Sequence, residues 1–184
     1  MLLIFKILLT ALSIFVIGTH AVVGKNHFTS KKMPAGANLV SAAVIASLAL
    51  YLLFLWTNTQ PLWALLVALV FEGLALWLFH RTIAASRAGR LKFAFDIEHP
   101  ETLVTSGPYR LVRHPFYTSY LVFWTGLAIG TWTIWAIPVL ALIALMYTIA
   151  ARGEERKFAN SPMAAEYEAY RKRAGMFWPR LGGQ

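Results

Sequence analysis

The sequence predicts an all-α integral membrane protein, with about five transmembrane helices and a cytoplasmic C-terminal helical segment. Three observations carry that expectation. Of 184 residues, 58% are hydrophobic, and the mean hydropathy of +0.58 exceeds what a soluble domain of this length needs. The apolar residues fall into five runs, each approaching the roughly 20 helical residues that cross a bilayer core. Lys and Arg gather in the segments that flank those runs, as orientation signals do. The net charge of +9 is therefore topological, and nucleic acid is not an expected partner. With no cysteine in the chain, disulfides, thiolate metal sites and a cysteine nucleophile are excluded.

The first run, Leu2–Val22, carries one charge, Lys6. It is longer than the core of a secretory signal, so it reads as a retained span. The second and third, Leu39–Trp56 and Leu62–Phe79, are joined by Asn58-Thr59-Gln60-Pro61, a tight uncharged turn. Glu72 lies inside the third run, with His80 and Arg81 at its end. Such a carboxylate is either a site or a protonated group hydrogen-bonded to a neighbour. The fourth run, Phe116–Ile129, is short, and Pro115 places its start, because proline at the first helical position has no N–H partner to lose. Gly130 and Thr131 turn the chain into the fifth run, Thr133–Ala150. In the tail, Ser161-Pro162 has the form of an N-cap followed by a first-turn proline. A short helix is expected from about Pro162 to Arg173, with Tyr167 and Tyr170 on one face and Glu168 four residues before Lys172.

The whole chain is thus one membrane domain: three N-terminal spans (1–80), a connection (81–115), a helical hairpin (116–150) and a tail (151–184). Lys25, Lys31 and Lys32 follow the first span, Arg81, Arg87, Arg90, Lys92, Arg110 and Arg113 the third. Arg152, Arg156, Lys157, Arg171, Lys172, Arg173 and Arg180 follow the fifth. Five spans put all of these on one side, with only Lys6 opposed. The N-terminus then faces out and the connection and tail face the cytoplasm. Trp56, Trp63, Trp132 and Trp135 near span ends suit an interfacial belt.

Two polar features bracket the hairpin. Ahead of it runs Ser106-Gly107-Pro108-Tyr109-Arg110-Leu111-Val112-Arg113-His114-Pro115-Phe116-Tyr117. Behind it stands Glu154-Glu155. Charge at a membrane boundary is costly and reads as functional by default. Arg113 and His114 sit at a helix start, whose partial positive charge suits an anion; the plain alternative is anchorage to headgroups. Gly107-Pro108 is a turn that carries Tyr109 to the same place. Glu154, nearer the membrane, reads as a counter-charge for a cationic ligand. Glu155 reads as a solvated residue balanced by Arg152, Arg156 and Lys157. His20, His27 and His99 have no ligand spacing, and no metal is expected.

The ordered set Leu103-Val104-Thr105-Ser106-Gly107-Pro108-Tyr109, Arg113-His114-Pro115-x-Tyr117, Glu154-Glu155 and Glu166-Tyr167-x-x-Tyr170-x-x-Arg173 with Pro179 resembles the isoprenylcysteine carboxyl methyltransferase family. Related phospholipid methyltransferases share much of it. The resemblance implies a membrane-embedded methyltransferase that uses S-adenosyl-L-methionine in a cytoplasm-facing pocket closed by the C-terminal segment. A lipophilic acceptor would enter from the bilayer. By position it implies cofactor contacts at Glu101, Thr102, Leu103, Val104, Tyr109, His114, Pro115, Phe116, Tyr117 and Glu154. The catalytic assignment it implies is Arg113, Glu154 and Arg152, the last standing in for an arginine that the family pattern places where this chain has Ala150. The acceptor class it favours is an isoprenylcysteine-like carboxylate or thiol. A phospholipid amine is the alternative, and a non-catalytic scaffold or sensor of the same fold is the other.

Overall fold

The computed structural model describes residues 1–27, 35–87 and 102–180. Of the residues singled out from sequence, Lys31, Lys32, Arg90, Lys92, His99 and Glu101 lie outside these ranges. Among the described residues six α-helices follow one another: α1 (Leu2–His27), α2 (Ala35–Thr57), α3 (Leu62–Ser86), α4 (Pro115–Thr131), α5 (Ala136–Ala159) and α6 (Ala164–Arg173). A 3₁₀ turn, Gly107–Arg110, precedes α4. Among the described residues, α1, α2, α3 and α5 are long and apolar enough to cross a membrane. At 17 residues, α4 is about 26 Å long at 1.5 Å per residue.

Helix α3 is central and packs on α1, α4 and the 3₁₀ turn. Its contact with α4 is close because α4 carries Gly126 and Gly130, one helical turn apart. A Cβ on Gly126 would lie 2.3 Å from Phe71 Cβ, and one on Gly130 would lie 2.8 Å from Ala68 Cβ. Small residues spaced by four let helix backbones approach, the usual device where lipid removes any hydrophobic drive to associate. This use of Gly130 corrects the expectation that Gly130-Thr131 forms the turn. Both residues belong to α4, and the helix ends instead at Trp132, left-handed at φ 50°, whose N–H bonds to Ile129 O.

Around this seam Trp124, Tyr51, Phe123, Leu127, Leu65 and Leu9 are fully buried. Tyr51 stacks on Trp124 with centroids 5.6 Å apart. The polar tips are satisfied across helices, as buried tyrosines and tryptophans require. Tyr51 donates to Ala136 O (2.9 Å) and Trp124 to Tyr147 Oη (3.2 Å). Large apolar side chains such as Ile45, Leu53, Val70 and Trp77 point outward, as lipid-facing surfaces do.

Two residues that opposed the pattern find partners. Lys6 donates to Asn58 O (3.0 Å) and so caps the α2–α3 turn. Glu72, fully buried, accepts from Ser13 of α1 (2.5 Å). At that end Trp63 meets Trp132 edge-on at 4.7 Å, so the two hairpin turns lie side by side beneath exposed tryptophans. The tail helix begins two residues later than expected. Ser161 Oγ accepts the Met163 N–H (3.2 Å), forming a turn before Ala164. Tyr167 and Tyr170 do share its buried face, whereas Glu168 pairs with Arg171 (3.4 Å) rather than with Lys172.

Gly126→Ala is expected to force α3 and α4 apart and destabilise the protein by about 1–3 kcal/mol, the usual cost of overpacking. Gly73, with no atom within 4 Å of an added Cβ, provides the contrast. Gly73→Ala should be neutral or stabilising by up to about 1 kcal/mol through helix propensity. Thermal melts of both variants in detergent check this.

Candidate functional site

The site lies at the opposite end from the tryptophans, where α3 ends, α4 begins and the last turns of α5 emerge. Gly107 makes the approach possible: its φ is +57°, and a Cβ there would lie 2.8 Å from Ala85 Cβ on α3. Only glycine fits both the conformation and the space. The turn that follows buries Tyr109, whose carbonyl accepts from Tyr170 Oη of α6 (2.7 Å).

The chain after α6 returns along the residues ahead of α4 as a strap. Gly175 N–H donates to Leu111 O (3.1 Å), Arg113 N–H to Gly175 O (2.7 Å) and His114 N–H to Met176 O (3.2 Å). Val112 and Gly175 form a parallel bridge. Thr118 Oγ1 donates to Phe177 O (2.9 Å). A Cβ at Gly175 would sit 1.8 Å from Trp178 O, so the bend that returns the strap requires glycine. Phe177 then lies edge-on to His114 (6.1 Å) and Tyr117 (6.4 Å), roofing the start of α4.

Beneath that roof two cations meet two carboxylates. Arg113 Nε donates to Glu155 Oε1 (2.8 Å), and Arg113 Nη1 donates to Ala174 O (2.5 Å). His114 Nε2 lies 3.1 Å from the same Glu155 oxygen, and His114 Nδ1 lies 3.3 Å from Glu154 Oε2. Tyr117 Oη donates to Glu154 Oε1 (2.7 Å). Both ring nitrogens of His114 thus face a carboxylate, an environment for a doubly protonated imidazolium. Burial opposes that charge, but hydrogen bonds and attraction from Glu154 and Glu155 outweigh it and raise the His114 pKa above the ordinary 6.5.

Glu155 is not the solvated member of the pair. Its side chain is 15% exposed against 28% for Glu154, because Arg113 and His114 both reach it. Glu154 is the more accessible carboxylate of the two. Tyr117 stacks on Tyr147 of α5 (5.4 Å), and Tyr120 meets both rings, extending an aromatic wall from the charges into the bundle.

Of the residues marked in the sequence, Arg113, His114, Tyr117 and Glu154 converge. Pro115 opens α4 as expected. Phe116 turns to Phe79 of α3 (5.6 Å). Tyr109 holds α6 through its backbone carbonyl. Leu103 packs against Tyr167 and Tyr170, while Val104 is half-buried and Thr102 exposed. Arg152 is exposed on α5 and stands outside the four-residue cluster. Sequence reading missed Gly175, Phe177, Thr118 and Tyr147. Only Gly175 carries a local signal, a glycine just past a helix.

Because the His114 pKa is raised on folding, its pairing stabilises the protein fully below about pH 6.5 and the contribution is lost as pH rises through the folded value. The melting temperature of the wild type should therefore fall with rising pH above neutrality, and His114→Gln should flatten that fall. A melt series from pH 6 upward measures it.

A family model described as phospholipid methyltransferase matches residues 63–163, from the start of α3 to just before α6. The chain is 40% identical over 102 residues to the cobalt-zinc-cadmium resistance protein CzcN of Cupriavidus metallidurans, covering 54% of this chain and 46% of the relative. It is 37% identical over 103 residues to the nickel-cobalt-cadmium resistance protein NccN of Alcaligenes xylosoxydans xylosoxydans, covering 54% and 47%. The chain thus spans about half the length of these relatives.

Proposed function

The chain belongs to the phospholipid methyltransferase family, and from that premise we propose that it transfers a methyl group from S-adenosyl-L-methionine to a lipophilic acceptor drawn from the bilayer. The observation that carries the reading is the placement of Glu154: a half-buried carboxylate near the end of α5 that faces the start of α4, flanked by His114 and Tyr117 beside Phe177. When bound, the cofactor supplies an electrophilic methyl carbon on a sulfonium.

The residues present suit such a ligand. Glu154 is the accessible anion for its ammonium, and its Oε atoms already accept from cation-type and hydroxyl donors. The start of α4 and Arg113 supply positive potential for its carboxylate. Thr102, Leu103 and Val104 lead into the same turn, with Leu103 packed against Tyr167 and Tyr170. Glu155 holds Arg113 and His114 in place. The phenol rings of Tyr117, Tyr120 and Tyr147 exclude water from the bundle side. Methyl transfer needs alignment more than proton movement, and positioning alone can lower a barrier by several kcal/mol. Arg152, exposed on α5, would meet a carboxylate acceptor only at the mouth of the site.

The acceptor reading closest to the sequence pattern is an isoprenylcysteine-like carboxylate or thiol. The family's own description favours the second reading, a phospholipid amine. The names of the two relatives place a protein of this kind beside heavy-metal resistance. Among the described residues no group of three His, Cys, Asp or Glu is arranged to hold a metal; the role we assign, modification of a membrane component, rests on the family.

Calorimetry in detergent with S-adenosylmethionine and its demethylated product tests the cofactor. Micromolar binding is expected, and no heat with either compound would refute the reading. Breaking a buried charge pair costs about 3–5 kcal/mol. Half of that, for the partly exposed Glu154, predicts that Glu154→Gln weakens binding on the order of tenfold or more at about 1.4 kcal/mol per decade. We further propose that α4 is a fifth span, with the N-terminus outside and the site cytoplasmic. Sidedness reporters fused to each terminus should report opposite sides, and a cytoplasmic signal from both ends would exclude an odd number of spans.

A further inference from the structure

We propose that His20, on α1, is the polar contact for the reacting group of the methyl acceptor and so helps to set which acceptor is used. The inference rests on the methyl-transfer reading above.

His20 Nε2 is shielded from solvent and has no hydrogen-bond partner among the described residues. Buried polar atoms are nearly always paired, and an unpaired one inside a membrane bundle costs stability. The ring is fixed by apolar faces: Phe79 of α3 at 4.3 Å, Tyr120 of α4 at 4.8 Å and Phe123 of α4 at 6.4 Å. None of them satisfies Nε2, so among the described residues the nitrogen is held in an aromatic box with its hydrogen-bonding capacity unused.

The box lies at the site end of the bundle. Ser13 pairs with Glu72 and His20 with Phe79, seven residues further along both α1 and α3. The two helices therefore run side by side in one direction. His20 stands about 10 Å beyond Glu72 along the axis at 1.5 Å per residue, toward the end where Ser106 reaches Ala85 O. Phe79 touches Phe116, Tyr120 touches Tyr117, and Tyr117 donates to Glu154. Two ring contacts and one hydrogen bond connect His20 to the carboxylate assigned to the cofactor.

A binding site for a lipophilic molecule is an apolar wall with a few placed polar atoms. Here the wall is aromatic and the placed atom is Nε2. A neutral imidazole nitrogen donates or accepts according to its tautomer, so it can meet the oxygen, sulfur or nitrogen that receives the methyl group. His20 precedes residues 63–163, the part matched by the family. Acceptor choice is thereby assigned to α1, and cofactor handling to the segment the family shares.

The test uses the full chain in detergent micelles, labelled S-adenosylmethionine, and a total lipid extract of the producing cells as acceptor. His20→Phe keeps the aromatic packing and removes the nitrogen; His20→Gln restores a hydrogen-bonding group. His20→Phe should melt no lower than wild type and bind S-adenosylhomocysteine unchanged, while its apparent KM for the extract rises about tenfold, the scale of one lost hydrogen bond. His20→Gln should recover most of that rise. An unchanged KM in His20→Phe overturns the inference, as does lost cofactor binding or a lowered melting temperature, which would mark a packing role. Failure of His20→Gln to recover would do the same. A wild type that binds the cofactor but labels no lipid removes the methyl-transfer reading, and this inference with it.

Discussion

The cluster of Arg113, His114, Glu154 and Glu155 is the constraint on which the site end of the protein depends. Its charges are consecutive in sequence on each side, two ahead of α4 and two near the end of α5, and they interleave rather than pair one to one. Arg113 and His114 share a single oxygen of Glu155, and His114 also reaches Glu154. Four charges at a membrane boundary are tolerable only because they cancel and because each is hydrogen-bonded. The same contacts fix the crossing of α4 and α5 at that end. They also engage the strap, since Ala174 O accepts from Arg113 Nη1 and the backbones of Arg113 and His114 donate to Gly175 and Met176. Remove the strap and two backbone donors lose their partners, while the guanidinium loses its bond to Ala174 O.

Much of this was legible beforehand, for reasons tied to single residues. Pro115 marks a helix start whatever surrounds it, because its ring and missing N–H allow few other places. The long apolar runs had to be helices, since nothing else satisfies the backbone in lipid. The spacing of Arg113-His114 and Glu154-Glu155 across a hairpin placed them at one end. The errors arose where tertiary contacts decide. Gly130 looks like a turn residue locally but serves the approach of α4 to α3. Ser161 has the chemistry of an N-cap, yet its hydroxyl bonds two residues on, and α6 starts later. Glu155 looked solvated because three basic neighbours in sequence surround it, whereas its partners come from 41 and 42 residues away.

The two carboxylates show why position on a helix outweighs position in sequence. Consecutive residues on a helix point about 100° apart, so Glu154 and Glu155 necessarily face different surroundings. Glu155 faces the segment ahead of α4 and is consumed by it. Glu154 faces the groove beside Tyr117 and keeps part of its surface open. An interior carboxylate that satisfies the scaffold and an outer one that remains available is the division of labour expected of a ligand site with a rigid support. On the proposed reading the more accessible Glu154 carries the recognition, and the more buried Glu155 determines its geometry.

The glycines extend the same logic to the backbone. Gly126 and Gly130 let α4 lie directly on α3, Gly107 lets the 3₁₀ turn touch the end of α3, and Gly175 lets the strap bend over α4. At Gly126, Gly130 and Gly107 a Cβ would fall within 3 Å of α3, and at Gly175 within 3 Å of the strap's own Trp178 O. These close approaches together locate α4: its C-terminal half against α3, and its start between the 3₁₀ turn and the strap. That helix carries Tyr117 toward Glu154 and Tyr120 toward His20. Small errors in its placement would move both rings at once, so the seam on α3 and the strap are functional supports even though neither touches the carboxylates through a glycine.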